Sequence, residues 1–179
     1  MSLMPFPERD FMQMCWVVPD LDAAIDHWTR CAGVGPFFVF DKPSYSNAMY
    51  RGQPAPDQPF DISAAIAQAG HTQIELICQH DDAPSMFRDL VPAGQAGFHH
   101  TALYCEDFDA QLAAYTAAGA EVAFSGIMID FRTCWVDLSA TLGFMVELVE
   151  ANPTADMIFK QFSDAAANWD GSDPIRRLG

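Results

Sequence analysis

One phrase occurs twice in this chain, and that constrains the fold more than anything else in the sequence. Residues 13–28, Gln13-Met-Cys-Trp-Val-Val-Pro-Asp-Leu-Asp-Ala-Ala-Ile-Asp-His-Trp, align without a gap on residues 100–115, His100-Thr-Ala-Leu-Tyr-Cys-Glu-Asp-Phe-Asp-Ala-Gln-Leu-Ala-Ala-Tyr, at an offset of 87. Asp20 falls on Asp107, Asp22 on Asp109, Ala23 on Ala110 and Trp28 on Tyr115. Each copy reads as an apolar strand, a carboxylate at the turn and an amphipathic helix. Asp20 and Asp107 are placed to cap the free N–H groups that open those helices, and Ala32-Gly33 and Ala118-Gly119 to end them.

A second echo follows. Ile74-Glu75-Leu76-Ile77 and Val146-Glu147-Leu148-Val149 lie 72 apart, so the first copy holds about fifteen more residues than the second between helix and last strand. The Pro- and Asp-rich stretch 54–61 is the natural place for that insertion, as a loop. Strands are predicted over 12–18, 36–41, 47–52, 72–78, 99–105, 121–124, 131–137 and 144–150, helices over 21–31 and 108–118, and a short helix at 84–90. The Ala-rich run 60–69 fits a strand or a short helix equally well. The resulting organisation is α+β: a βαβββ module over 1–80, a linker over 81–97, a second βαβββ module over 98–151, and a helical tail over 152–179. Met157, Ile158, Phe159 and Phe162 give that tail an apolar face to dock on the body or on a second subunit.

Composition narrows the function classes. Half of the 179 residues are apolar, enough for a sizeable core. No apolar run reaches the roughly 18–20 residues of a membrane span, and Arg9 and Asp10 interrupt the place of a signal peptide's apolar stretch. A cytoplasmic location is therefore expected. A formal charge of −15 works against nucleic acid and anionic membranes as partners. It also disfavours a multiply anionic ligand, unless some of the nine Lys and Arg residues line its pocket. The five cysteines are odd in number and never form a CxxC pair, which argues for reduced core thiols rather than disulfides or a thiolate zinc site.

Four polar residues stand at corresponding places of the two copies. Glu75 and Glu147 sit inside apolar strands, where an ionised carboxylate is costly without a cation. Gln13 and His100 open the two repeat strands. Each residue alone is commonly a satisfied core polar group; as a symmetric set, one amide oxygen, one imidazole and two carboxylates suit a divalent ion such as Zn, Ni, Co, Mn or Fe. His99, on the other face of its strand by alternation, is expected to pack or to support a ligand, while His27, His71 and His80 are expected at the surface. Phe38, Tyr50, Tyr104 and Phe131, with Tyr45, lie on segments that would line a pocket, and an aromatic wall suits an apolar acyl group or ring in a small-molecule substrate.

The phrases Gln13…Val18-Pro19-Asp20-Leu21, Ile74-Glu75-Leu76, Phe98-His99-His100 with Asp107, and Val146-Glu147-Leu148 resemble the vicinal oxygen chelate superfamily, which includes glyoxalase I, methylmalonyl-CoA epimerase, extradiol dioxygenases and bleomycin-resistance proteins. The resemblance covers about residues 10–151. It implies a curved, cup-like mixed or antiparallel sheet with helices outside. It also implies a divalent metal on Gln13, Glu75, His100 and Glu147, and a dimer as a common assembly. A glyoxalase-type lyase or isomerase is the activity it implies, one that stabilises the enediolate or enolate of an α-hydroxy, α-keto or acyl-thioester compound. By the same resemblance Glu147 is the ligand that also shuttles the proton. An epimerase-like enzyme and a non-catalytic resistance-type binder are the alternatives. Gln13 stands where an extradiol dioxygenase would need a histidine, which disfavours that branch. No basic residues near Gln13 or His100 match those that hold glutathione carboxylates in glyoxalase I.

Overall fold

The computed structural model describes residues 11–178; the reading of Arg9 and Asp10 falls outside them. In chain order the elements are β1 (Phe11–Val17), α1 (Leu21–His27) continued by a π-helical turn (Trp28–Ala32), β2 (Phe37–Asp41), β3 (Ser46–Tyr50), β4 (Gln53–Pro54), β5 (Ile62–Ala69) and β6 (Thr72–Gln79). There follow α2 (Met86–Leu90), β7 (Gly97–Cys105), α3 (Phe108–Ala117), β8 (Glu121–Met128), β9 (Phe131–Asp137), α4 (Ser139–Leu142), β10 (Met145–Glu150), α5 (Pro153–Ala167) and β11 (Ile175–Arg177). Among the described residues the strands make one open sheet in the order β11-β2-β5-β6-β1-β7-β10-β9-β8-β3-β4.

The repeat acquires its spatial meaning at the centre of this sheet. β1 and β7 run antiparallel, and Met14 pairs with Thr101, its own equivalent 87 positions on. Antiparallel pairing of equivalent residues requires a local twofold axis between them. On either side the same order unfolds: β6 parallel to β1 and β10 parallel to β7, then β5 and β2 on one flank, β9 and β8 on the other. Asp20 and Asp107 accept the backbone N–H groups of Ala23 and Ala110, each at 3.0 Å, so both helices start with the same cap. α1 buries Leu21 and Ile25 against Ile74 and Leu76, and α3 buries Phe108 against Val146 and Leu148. Both helices thus cover the convex face, as expected.

The structure corrects the sequence reading in one place and decides it in two others. Segment 46–50 does not complete the first module: β3 pairs with β8 on the far edge of the second, so the insertion is a chain excursion rather than a simple loop. The third strand of the first module is instead β5, the Ala-rich run that pattern left open. All eight of its residues pair with β6, and its small side chains fit between α1 and the concave face, so tertiary context overrides helix propensity. Of the two docking modes open to the tail, the structure shows the one on the body. Asn152 caps α5 through Ala155 N–H, and Phe162 packs within the same chain on Phe38, ring centroids 4.9 Å apart.

The concave face is filled at both ends. Tyr45, Phe60, Phe87, Phe124 and Trp135 pack at one end, drawing on both halves of the sheet, the excursion and α2. α5 lies across the other end against Ala102, Phe131 and Val149. Four of the five cysteines are buried and all are free thiols. No helix among the described residues is long and apolar enough to cross a membrane.

If α5 is part of the core, Phe162→Ala should lower unfolding free energy in urea by about 3–5 kcal/mol. Met157→Ala, on the face that is 66% exposed, should stay within about 0.5 kcal/mol. Equal small effects at both positions would mean that the helix is not docked.

Candidate metal centre

Strand alternation carries Glu75 and Glu147 to the concave face, while their neighbours Ile74, Leu76, Val146 and Leu148 face the outer helices. Cross-strand pairing then converges the set: Cys15 lies beside Glu75 on one flank and beside His100 on the other. His100 Nε2 stands 3.2 Å from Glu75 Oε2 and 3.2 Å from Glu147 Oε2. All three residues are buried, with His100 wholly inaccessible. Thr133 donates to Glu147 Oε1 at 2.7 Å, which fixes the carboxylate and leaves Oε2 facing the imidazole.

His99 is not on the opposite face. β1 and β7 pair Cys15 with His100 but Trp16 with Phe98, so His99 is the extra residue of a bulge, and it turns into the interior instead of following the alternation. There its ring lies against Phe87, its Nε2 is 3.0 Å from Met86 O, and its Nδ1 is 2.9 Å from His100 Nδ1. A carbonyl only accepts, so the His99 proton sits on Nε2 and its Nδ1 must accept from His100 Nδ1–H. Burial, with His100 nearby, lowers the His99 value to about 3, which keeps this ring neutral. The chain of bonds from Met86 therefore sets the His100 tautomer, with Nε2 turned toward two carboxylates.

That nitrogen is the diagnostic atom. Although both carboxylates are close, neither is aligned with it, and His100 Nε2 is a buried polar atom without a hydrogen bond. A neutral imidazole would aim its lone pair at two anions, an arrangement that needs a cation. Either a proton or a metal ion supplies it. In the metal-free protein it is the proton: burial lowers the His100 value, but the Glu147 and Glu75 carboxylates outweigh it and hold it at about 9. Burial likewise raises Glu147. One imidazole and two carboxylates, supported from behind by His99 and Thr133, fit a divalent ion in donor type and in burial.

Gln13 is also buried, and its amide nitrogen donates to Gln73 at 3.2 Å. Cys15 also adjoins the cluster, its Sγ within 4.8 Å of ligand atoms of Glu75 and His100. Alternation from Gln13 puts Cys15 on the same face, a signal that was available in the sequence; Thr133 and the bulge at His99 left none. Of the four aromatic residues expected on the wall, Phe131 lines an apolar groove beside the cluster. Phe38 lies beneath Phe162. Tyr50 and Tyr104 give their hydroxyls to Asp89 and Asp156 at 3.1 and 2.8 Å. His27, His71 and His80 are exposed, His80 with Nε2 2.7 Å from the Ser63 hydroxyl.

Two opposite pH effects follow from His100. Its folded value lies above the ordinary 6.5, so in metal-free protein it contributes stability that is complete below that value and lost as pH rises through about 9. A metal on Nε2 must displace the same proton. Zinc affinity measured by chelator competition should rise with pH up to about 9 and then level off. The rise should be up to about tenfold per pH unit for each proton released. A pH-independent affinity would show that Nε2 does not hold the ion.

Comparison with known proteins bears on what this centre belongs to. Residues 12–136 match the family described as the Glyoxalase/Bleomycin resistance protein/Dioxygenase superfamily. No protein of curated function matches the sequence. Among solved structures, a methylmalonyl-CoA epimerase from Mycobacterium tuberculosis is similar in fold with a TM-score of 0.54 at 19% identity, over 82% of this chain and 90% of that one. A methylmalonyl-CoA epimerase in complex with methylmalonyl-CoA and NH4+ gives 0.54 at 16%, over 81% and 96%. A hypothetical protein from Bacillus halodurans C-125 gives 0.61 at 12%, over 81% and 96%. With the matched family spanning both repeats through the ninth strand, the chain belongs to the glyoxalase, bleomycin-resistance and dioxygenase superfamily, also called the vicinal oxygen chelate superfamily.

Proposed function

We propose that this protein is a divalent-metal-dependent enzyme of the glyoxalase type, which enolises an α-hydroxy, α-keto or acyl-thioester compound. The observation that carries the reading is the buried His100 Nε2, 3.2 Å from each of two carboxylates with neither aligned to hydrogen-bond it. Glu75, His100 and Glu147 would hold the ion, with Gln13 as the fourth donor. Gln13 is favoured over Cys15 on charge: the two carboxylates already neutralise a dication, and a thiolate would add a third anion. Burial, then the nearby Glu75, holds the Cys15 thiol well above its ordinary value. When bound, the ion supplies Lewis-acid stabilisation of negative charge on the substrate oxygen.

The protein's own residues would do the rest. Glu147 takes the proton from the carbon next to the carbonyl, and its buried position raises its basicity. Thr133 holds Oε1, so Oε2 is the atom of Glu147 that faces the centre and would move the proton. Packing of Phe87, Trp135 and Tyr45 around the cluster excludes water from the carbanion. Returning the proton to the same face or to a neighbouring atom gives a lyase or isomerase of the glyoxalase kind. A second reading, an epimerase, is favoured by one feature: Glu75 flanks His100 from the other module, where it could return the proton to the opposite face.

Glu147→Gln should retain metal by elemental analysis and lose α-proton exchange into deuterated water by about 10²–10⁴-fold. Unchanged exchange would remove Glu147 as the base. With a single enantiomer as substrate, racemisation during exchange would select the epimerase reading. If wild type takes up no metal even after reconstitution, and the Glu75→Ala and His100→Ala variants match it, a non-catalytic binder becomes the better account.

The fourth donor is open to a separate test with cobalt(II). A thiolate ligand gives an intense near-ultraviolet charge-transfer band and an amide oxygen does not. We expect no such band, and weaker cobalt binding in Gln13→Ala. A band that disappears in Cys15→Ser would give the fourth place to Cys15.

A further inference from the structure

A cavity of only about 30 Å³ touches Glu75, His100 and Glu147, and Phe40, Pro43 and Met128 also line it. The same three residues form the inner wall of a groove of about 580 Å³, closed on its other side by Phe131, by Ile158 and Phe159 of α5, and by Ile129. Groove and centre are therefore adjacent rooms that share a partition. Met128, an unbranched thioether, is its most deformable member.

Ile129 marks the mouth of this groove. It is the first residue of the two-residue turn between β8 and β9, is 70% exposed, and has φ +59°. A β-branched side chain in the left-handed region is strained, and glycine or asparagine would sit there without that cost. The turn is nevertheless held in place: Asp130 Oδ2 accepts from Thr154 at 2.8 Å, and its Oδ1 and backbone carbonyl accept from Asn152, each at 3.2 Å. A strained, exposed, apolar side chain is thus pinned beside the start of α5 and over the groove.

Charge decides what such a groove accepts. Its polar lining is confined to Ser44, Ser46 and Gln161, and no Lys or Arg of the described residues borders either the groove or the inner cavity. Several of the few cations are committed elsewhere: Arg51 to Asp89 and Asp137, Arg132 to Asp109 and Glu150, Lys42 to Asp61, Lys160 to Asp164. In a chain of formal charge −15, a polyphosphorylated or polycarboxylated carrier would meet repulsion with no counter-charge among the residues that line the groove.

We propose that the groove seats the apolar arm of the substrate, whose adjacent oxygens reach past Phe40 and Met128 to the centre. The substrate class is then an uncharged α-hydroxyketone or related α-oxygenated carbonyl compound with an extended alkyl or aryl arm, rather than a polyanionic thioester conjugate. This inference deepens the metal-dependent reading above and rests on it for the oxygens, whereas the arm's contribution is independent of catalysis.

The test is calorimetric binding of straight-chain α-hydroxyketones, with arms from ethyl to octyl, to the full-length zinc-loaded protein and to its metal-free form. Affinity should tighten by about three- to fourfold per added methylene until the groove is filled, with the same increment in both forms. Ile129→Gly relieves the strained φ, so it should fold at least as well as wild type; it should weaken the octyl ligand severalfold and leave the ethyl ligand unchanged. Affinity that does not depend on arm length would overturn the proposal. So would a coenzyme A thioester that binds more tightly than an uncharged ketone bearing the same arm. Sedimentation of Ile129→Asp covers the remaining occupant: loss of a dimer with an unchanged arm-length increment would assign the groove to a second copy of the chain and also overturn it. Absence of α-proton exchange while the increment persists would sink the catalytic reading and leave the groove assignment standing.

Discussion

The antiparallel pairing of β1 with β7 is the contact on which the rest of the molecule depends. It joins Met14 to Thr101 and so makes the repeat in sequence a twofold in space. Every later placement inherits that axis. β6 and β10 add in parallel on either side, which brings the buried glutamate of each module toward the same imidazole. A slip of one residue in β6 or β10 would carry its glutamate to the helix-covered face, where Leu76 and Leu148 now pack. The register of these inner strands is thus the geometric condition for a metal centre.

The symmetry is broken around the candidate centre. His100 has a histidine behind it, forced inward by a bulge, whereas its equivalent Gln13 faces Gln73 across the neighbouring strand. Glu147 is steadied by Thr133, while Glu75 has the Cys15 thiol beside it. The two glutamates are therefore equivalent in backbone and different in environment. That difference is the ground on which the proposed function gives the proton to Glu147. A buried carboxylate pair would be a large electrostatic liability without a cation, so burial itself argues that the site is built to hold one.

The rest of the cup is furnished from outside the repeat. The excursion that carries Tyr45 and Phe60 plugs one end together with α2, and α5 lies over the other through Phe162 and Phe159. What remains of the concave surface is an apolar groove and a small polar chamber, with Phe40, Pro43 and Met128 lining both. The groove is built by segments outside the bare pair of modules as well as by them: the excursion supplies Pro43, the β8–β9 turn supplies Ile129, and α5 supplies Phe159. A scaffold shared across many chemistries is thereby given its own pocket.

The sequence by itself determined the two modules, their strand-helix order, the capping aspartates at 20 and 107, and the corresponding strand positions of Gln13, Glu75, His100 and Glu147. All of these are written in local periodicity or in the offset of 87, which need no knowledge of neighbours. Only the tertiary structure decided the fate of residues 62–69, because alanines become strand when both faces and both edges are occupied. It alone moved β3 to the far edge of the other module, since pairing between distant strands leaves no short-range trace. The interior position of His99 likewise depends on a one-residue mismatch between two strands, and alternation along either strand cannot reveal it. The groove is the same kind of fact: its walls come from five separated stretches of chain, and their meeting is a property of packing rather than of any segment.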